Sequence, residues 1–390
     1  MNTRPQHLEQ NALPERCEID WRESDPAAAG VDPSLLSQVL DLVQARGAAA
    51  QLCVIRDGKV ILDRSFGCRS DALFWTFSAS KPYVALLVHL LAERKQVSLE
   101  DPVATYWPEF GRHGKDRITI RHVLQHRTGL FTERISVGDV IVMTDWDRSI
   151  RRIQNARPRW TPGLLPAYLA LSYGFILGEL IRRITGRAVE EVLAAELLAP
   201  LRAHDTYLGL PDSQRQRRVP VVARGLAGYL LQAVVNRRST RRAVIPSAGI
   251  STTARDLAMF YLMLLQGGTL HGQRVLLPGT IDQARIPSSD GEIDRCIQTP
   301  VRWSQGFQLG GPRPPPYASG PLGGLSSRRT FGHNGSNCCI GWADPDRNLA
   351  VAYLTNRLEG RRLDRAHQAA VADGLLRACA SAVGEQCPAT

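Results

Sequence analysis

A nucleophile and a base three residues apart open an apolar run of this sequence: Ser78 and Lys81, in Phe77-Ser78-Ala79-Ser80-Lys81. A serine hydroxyl attacks poorly until a base takes its proton, and a lysine is that base only when burial or neighbouring cations lower its pKa. Side chains at i and i+3 of a helix share one face. A helix beginning near Ser78 would therefore bring hydroxyl and amine into one small volume. The segment from Pro82 to Glu93 is apolar at nearly every position, which predicts a buried helix and supplies the burial. Its N-terminus offers free N–H groups and the positive end of a dipole to an oxyanion on Ser78. The pattern alone is common, and a capping serine beside a solvated lysine produces it equally well.

The elements that must hold this pair are legible on either side. Asp32 and Pro33 open a helix whose apolar residues recur at helical spacing up to Gly47. A β-hairpin follows, Ala50–Arg56 and Lys59–Phe66 around Asp57-Gly58. From about residue 100 to 290 strand signals are scarce and helix signals recur, at Thr119 to Gly129, Leu171 to Gly186, Val189 to Leu198 and Asp256 to Leu265. The last hundred residues return to strands. Arg329–Gly335 precedes a hairpin, Cys338–Ala343 and Asn348–Asn356, and a closing helix runs from about Arg365 to Val383. Strands at both ends and helices between them predict an α/β (α+β) fold: an antiparallel sheet flanked by helices and built from both termini, with an inserted all-helical domain. The expected boundaries are a polar leader over 1–30, a sheet domain over 31–100 and 290–390, and a helical domain over 101–289. Residues 211–245 stand apart, because basic clusters bracket apolar Gly225–Val235. The expectation there is a surface helix, with a lid or a membrane-touching flap over 225–242 as the alternative.

Composition narrows the function classes. With 390 residues, 44% apolar and 22% charged, the chain is globular and can bury a large core. The net charge of +11 comes mostly from arginine pairs dispersed along the chain, without interleaved aromatics or a nucleic-acid module, so no nucleic acid is expected as partner. A polar N-terminus and the lack of any apolar run approaching about eighteen residues predict a cytoplasmic protein with no transmembrane segment. The eight cysteines are scattered, with no spacing that pairs them with histidines, so neither a disulfide framework nor a metal is expected, and no cofactor. No Gly-x-Ser-x-Gly elbow occurs.

Further motifs fall in order: Leu99 to Phe110, Ile118 to Leu130 with its His-x-Thr-Gly, Pro162-Gly163, Tyr168, Ile184-Thr185-Gly186, Thr253 to Leu257, and Gly332-His333-x-Gly335. With Ser78-x-x-Lys81 they resemble the serine β-lactamase-related hydrolases, which include class C β-lactamase-like enzymes, D,D-peptidases, family VIII carboxylesterases and acyltransferase relatives. The resemblance runs from about residue 50 to 380. It implies that Ser78 is the acylated nucleophile and that Lys81 accepts or relays its proton. Tyr168, in Tyr168-Leu-Ala-Leu-Ser172-Tyr-Gly174, falls where the family places a tyrosine general base and acid, with Tyr173 as the alternative. Such a phenol must have its pKa lowered by a cationic Lys81. Leu169 and Ala170 stand where the family more often carries a polar residue.

His333-Asn334-Gly335 replaces the family's Lys-Thr-Gly strand. Histidine is largely neutral at pH 7, which disfavours substrates bearing a carboxylate and favours neutral esters. The backbone N–H groups of Ser78 and Ser336 are the implied oxyanion hole, with His333 and Gly335 lining the substrate site. The implied function is a carboxylesterase on small or medium esters. The alternatives are an acyltransferase drawing on an acyl ester, amide or thioester, a β-lactamase or D,D-peptidase, and a non-catalytic ligand-binding member. For an acyltransferase, the positive charge would fit an acidic carrier protein or a coenzyme A (CoA) thioester donor.

Overall fold

The computed structural model describes residues 18–130, 137–313 and 320–380. Asp32 caps the first helix, α1 (Pro33–Ala45): its carboxylate accepts from the N–H of Ser34 (2.8 Å) and Leu35 (3.1 Å), while Pro33 sits in the first turn, where no donor is lost. The hairpin forms as β1 (Ala50–Arg56) and β2 (Lys59–Phe66). Asp57 and Gly58 both take positive φ, 51° and 75°, as a two-residue turn between twisted strands requires. Next come the helices α2 (Lys81–Glu93), α3 (Ser172–Thr185), α4 (Leu226–Val235) and α5 (Ala254–Leu265). Strands β3 (Gln308–Leu309), β4 (Phe331–Gly335), β5 (Cys339–Asp344) and β6 (Leu349–Thr355) lead to the last helix, α6 (Arg361–Ala378).

Six strands form one antiparallel sheet in the order β2-β1-β6-β5-β4-β3. The two ends of the chain meet at β1 and β6, with Ala50 opposite Thr355 and Arg56 opposite Leu349. Both faces are buried, and the side chains alternate between them. Leu52, Val54, Val351 and Tyr353 pack with α1 and α6, whereas Cys53, Ile55, Ala352 and Leu354 join the larger core that holds α2 and α5. Although α5 comes from the middle of the chain, it packs on β1, β5 and β6. The sheet thus takes one covering layer from within the stretch read as helical.

Some elements differ in extent from their sequence signals. The helix expected from Thr119 to Gly129 is a short one, Ile120–Leu124, boxed at its start by Thr119 and His122; His126 takes φ 57° and redirects the chain. The run from Val189 widens into a π turn at Ala194–Leu198. The closing helix starts at Arg361, and its expected end at 383 lies outside the described residues, as do positions 1–17 of the leader. The rest of the leader lies along the body: Ser24 N–H donates to Val60 O (2.8 Å), and Trp21 packs under the Arg255 guanidinium.

Candidate active site

The chain enters α2 through a 3₁₀ turn, Phe77–Ser80, and the α-helix proper begins only at Lys81. In that tighter turn residues three apart eclipse, so Lys81 stands directly over Ser78. Phe77 takes φ 49°, a strained setting that persists only where the surroundings impose it. They do so here through Ile250. Its carbonyl accepts both the Thr76 N–H (2.9 Å) and the Thr76 hydroxyl (3.1 Å), and its N–H donates to Ser80 Oγ (3.1 Å). The Ser80 hydroxyl donates in turn to Phe77 O (2.7 Å). Ser80 is therefore spent on the scaffold, and half-buried Ser78 keeps its hydroxyl for Lys81.

Lys81 is wholly buried, with Nζ 3.3 Å from Ser78 Oγ, 2.7 Å from Ala170 O and 3.3 Å from Ser247 O. Burial drives its pKa well below the usual lysine value. A neutral amine has two hydrogens and one lone pair. In that neutral form the Ala170 and Ser247 carbonyls can take the two hydrogens and leave the lone pair facing the Ser78 hydroxyl. Ser247 is held in turn by the start of α3: its Oγ accepts from Gly174 N–H (2.6 Å) and donates to Leu171 O (2.9 Å).

Nζ lies 4.7 Å from the Tyr168 ring centre and 5.9 Å from that of Tyr173. The Tyr168 hydroxyl hydrogen-bonds with Ser78, and burial raises its pKa far above that of an ordinary phenol. The Tyr173 phenol is raised as well, and its hydroxyl finds no partner among the described residues. The expectation that a cationic Lys81 lowers the tyrosine is not met: loss of water pushes both groups to their neutral forms. Leu169 and Ala170, apolar where a polar residue was expected, contribute backbone instead. Leu169 N–H donates to His126 Nδ1 (3.1 Å), and Ala170 O receives Lys81.

Residues that no motif singled out hold Tyr168 in place. Its ring stacks on Trp303 with centroids 5.2 Å apart and planes 8° from parallel. Wholly buried Asp294 accepts the N–H groups of Tyr168 (3.2 Å), Cys296 (2.8 Å) and Ile297 (2.9 Å) on one oxygen, and the Trp303 indole N–H (3.0 Å) on the other. A carboxylate is kept in such a place only when satisfied to this degree. His126 fills the space between the tyrosines, its ring centre 4.8 Å from Tyr168 and 4.7 Å from Tyr173. With Nδ1 accepting, the neutral ring carries its proton on Nε2; burial first, then Lys81, holds its pKa well below the usual value. The His-x-Thr-Gly segment was a usable signal for His126. Asp294 and Trp303 lie in a stretch without periodic pattern. The neighbouring Cys296 thiol is pushed up to about 11, mainly by burial, so it does not compete as a thiolate.

Strand β4 brings His333, Gly335 and Ser336 to the same place. A Cβ on Gly335 would fall 1.9 Å from Thr76 O and 3.1 Å from Phe77 Cβ, so only glycine lets the strand run this close to the Ser78 turn. Ser336 and Asn337, at φ 48° and 57°, then bend the chain into β5. His333 is wholly buried. Its Nδ1–H donates to Asn334 O (2.7 Å), which leaves Nε2 an unprotonated acceptor with no partner among the described residues. Its ring lies 6.2 Å from Tyr168 and 5.9 Å from Trp303. Burial, aided by Lys81, lowers its pKa to about 3.

A cavity of about 180 Å³ opens beside Tyr168, walled by Leu130, Val142, Met143, Ile153, Leu169 and Phe175 and bordered also by Asp139, Arg152 and Arg157. A larger one of about 550 Å³, bordered by Glu93, Asp101 and Arg121, touches none of the residues around Ser78. No cluster of side chains suited to a metal ion occurs among the described residues.

A nucleophile over a buried amine, flanked by a tyrosine and strand β4, has the residue types that a serine acyl-enzyme needs. The chain belongs to the Beta-lactamase family, whose model matches residues 36–375. It is 29% identical over 353 residues to the esterase/beta-lactamase LipL of Mycobacterium tuberculosis, a match covering 80% of this chain and 78% of that protein. Among solved structures, a family VIII carboxylesterase superposes with a TM-score of 0.74 at 25% identity, over 89% of this chain and 98% of the other. A penicillin-binding protein homologue from Caulobacter crescentus gives 0.75 at 25% identity, over 93% and 100%.

Proposed function

We propose that the protein is a carboxylesterase working through an acyl-enzyme on Ser78. The observation that carries this reading is buried Lys81 Nζ lying 3.3 Å from Ser78 Oγ, with the Ala170 and Ser247 carbonyls at 2.7 and 3.3 Å to orient it. As Ser78 attacks the ester carbonyl, its proton passes to Lys81 Nζ. The ammonium so formed has three N–H groups and three acceptors: Ala170 O, Ser247 O and Ser78 Oγ. The oxyanion develops at the N-terminus of α2, within reach of the Ser78 and Ser336 backbone N–H groups. Tyr168, protonated and bonded to Ser78, gives its proton to the departing alkoxide and is reprotonated from Lys81. Water then enters by the same relay run backwards and releases the acid.

The substrate reading rests on two features. The cavity beside Tyr168 is mostly apolar and of a size for a short or medium acyl chain. His333 presents a neutral acceptor where a carboxylate-binding site needs a cation. The relatives named as an esterase/beta-lactamase and a family VIII carboxylesterase support an ester substrate. Acyl transfer shares the same intermediate and differs only in whether an alcohol or amine outcompetes water.

The test is intact-protein mass spectrometry during turnover of p-nitrophenyl acyl esters by wild type and Ser78→Ala, with a chromogenic cephalosporin alongside. A transient adduct confined to wild type, with fast release of p-nitrophenol, is expected. An adduct that persists until an alcohol is added would identify a transacylase. Cephalosporin turnover outpacing the esters would identify a β-lactamase, and absence of any adduct would reject the acyl-enzyme.

A further inference from the structure

Helix α4 is apolar on both faces: inward, Val235 is 2% exposed and Leu231 and Val234 pack against the core. Its polar residues point inward: Gln232 Oε1 accepts Ala223 N–H (2.8 Å), and the Asn236 amide just past its end accepts Val221 N–H (2.9 Å) and donates to Val221 O (2.8 Å). Arg241, only 2% exposed, donates from Nε to Val235 O (2.9 Å) and lies 4.9 Å over the Trp75 ring, which clamps the helix end to the body. The outward stripe is apolar. Leu226, Tyr229 and Leu230 are 80%, 59% and 54% exposed, and Ala233 continues their i, i+3, i+4, i+7 spacing. Val222 in the strand beneath adds a further 41% exposed side chain. Among the described residues, four of the eleven exposed large apolar side chains fall within Val222–Leu230, so this is a patch and not scatter.

The charge around the patch is mainly positive. Between Ser213 and Arg242 the chain has eight arginines and no aspartate or glutamate. Exposed Arg224, 3.7 Å from the Glu359 carboxylate, and exposed Arg237 stand at the two ends of the stripe, and exposed Arg238 and Arg242 share the single carboxylate of Asp212. A second copy of the chain docked here about a two-fold axis would set these arginines against one another.

We propose that α4 and its flanking arginines are a docking surface for an anionic lipid membrane, with Leu226, Tyr229 and Leu230 entering the headgroup boundary and the arginines meeting lipid phosphates. A rigid apolar stripe with an aromatic hydroxyl and basic ends has the composition of a helix lying in the interfacial plane. The element is tied to the approach to Ser78, since Leu73 N–H donates to Arg217 O (2.8 Å) and Val219 N–H to Leu73 O (2.9 Å).

The test is co-sedimentation of the full chain with phosphatidylcholine vesicles, with and without phosphatidylglycerol, at low and high salt. Binding to the phosphatidylglycerol vesicles that weakens with salt is expected. The double variant Leu226→Asp/Leu230→Asp should lose at least about tenfold in affinity, and Arg237→Gln about fivefold, with melting temperatures unchanged because all three side chains are exposed. Wild-type protein left in the supernatant with both vesicle types would overturn the proposal. So would a double variant that binds like wild type, or a dimer in light scattering that the double variant dissolves.

Discussion

If Lys81 is the base, it must act as a neutral amine, and replacing it separates that role from the role of a cation. Lys81→Met keeps the apolar stem and removes the lone pair 3.3 Å from Ser78 Oγ. General-base assistance is worth about 10²–10⁴ in rate, or roughly 3–5 kcal/mol of barrier, so kcat/KM should fall by that factor. The change strips Ala170 O and Ser247 O of a donor, at about 1–3 kcal/mol each, but also removes an amine that is costly to bury, so the variant should remain folded. Lys81→Arg is the sharper variant, because a guanidinium supplies a permanent charge and no lone pair. A cationic role would survive it; a base would not. Because burial sets the Lys81 pKa below that of an exposed lysine and the deprotonated form is the active one, wild-type kcat/KM should rise with pH through that lowered value. The assay is kcat/KM for a p-nitrophenyl ester across the pH range, with melting temperatures measured in parallel. An arginine variant within tenfold of wild type would refute the reasoning, as would an ascending limb that persists unchanged in the methionine variant.

Three further outcomes follow from the same geometry. Gly335→Ala would press a Cβ into Thr76 O and displace β4 from the Ser78 turn, so kcat/KM should drop by about 10² or more and the melting temperature should fall as well; near-wild-type turnover would show that the strand is not a wall of the site. Asp294→Asn must aim an amide N–H at one of the four donors now satisfied, costing about 1–3 kcal/mol in urea unfolding and loosening the Tyr168–Trp303 stack; kcat should fall with KM nearly constant, and a fall in stability alone would make Asp294 merely structural. His89 and His333, 2% and 1% exposed, have pKa values lowered to about 4 and about 3. Their folded values lie below the unfolded one, so their contribution is present above about pH 6.5 and is lost as pH falls, by about 2 kcal/mol each at about pH 5. Urea midpoints that do not move between about pH 7.5 and pH 5 would contradict it.

What was legible in the sequence was local. Asp32-Pro33 announces a cap, Asp57-Gly58 a tight hairpin, and the strands at the chain ends one sheet, because each signal lies within a few residues of the structure it specifies. The segments that carry Ser78, Lys81, Tyr168 and His333 could be placed by motif, and the structure brings them together. What could not be read depends on residues far apart in the chain. Asp294 meets Tyr168 across 126 positions, and Ser247 meets Lys81 across 166, with no spacing rule to link them. The direction of the Tyr168 shift failed for a related reason. Spacing showed a lysine nearby but not that the same packing excludes water from both groups, and desolvation outweighs the charge that was expected on Lys81.

That exclusion of water has one consequence for the substrate. Burial pulls the pKa values of the titratable nitrogens nearest Ser78, those of Lys81, His126 and His333, below their ordinary values and so favours the neutral forms. A ligand carboxylate brought against them would leave water without gaining a counter-charge, an unfavourable exchange in a low-dielectric site. A neutral ester gives up little hydration on entry and acquires charge only as the oxyanion forms, which in the proposed mechanism happens at the N-terminus of α2. In that mechanism the Lys81 ammonium forms at the same step. On the proposed mechanism the charges on Lys81 and on the oxyanion develop together in the transition state, which is the kind of difference in binding that accelerates a reaction.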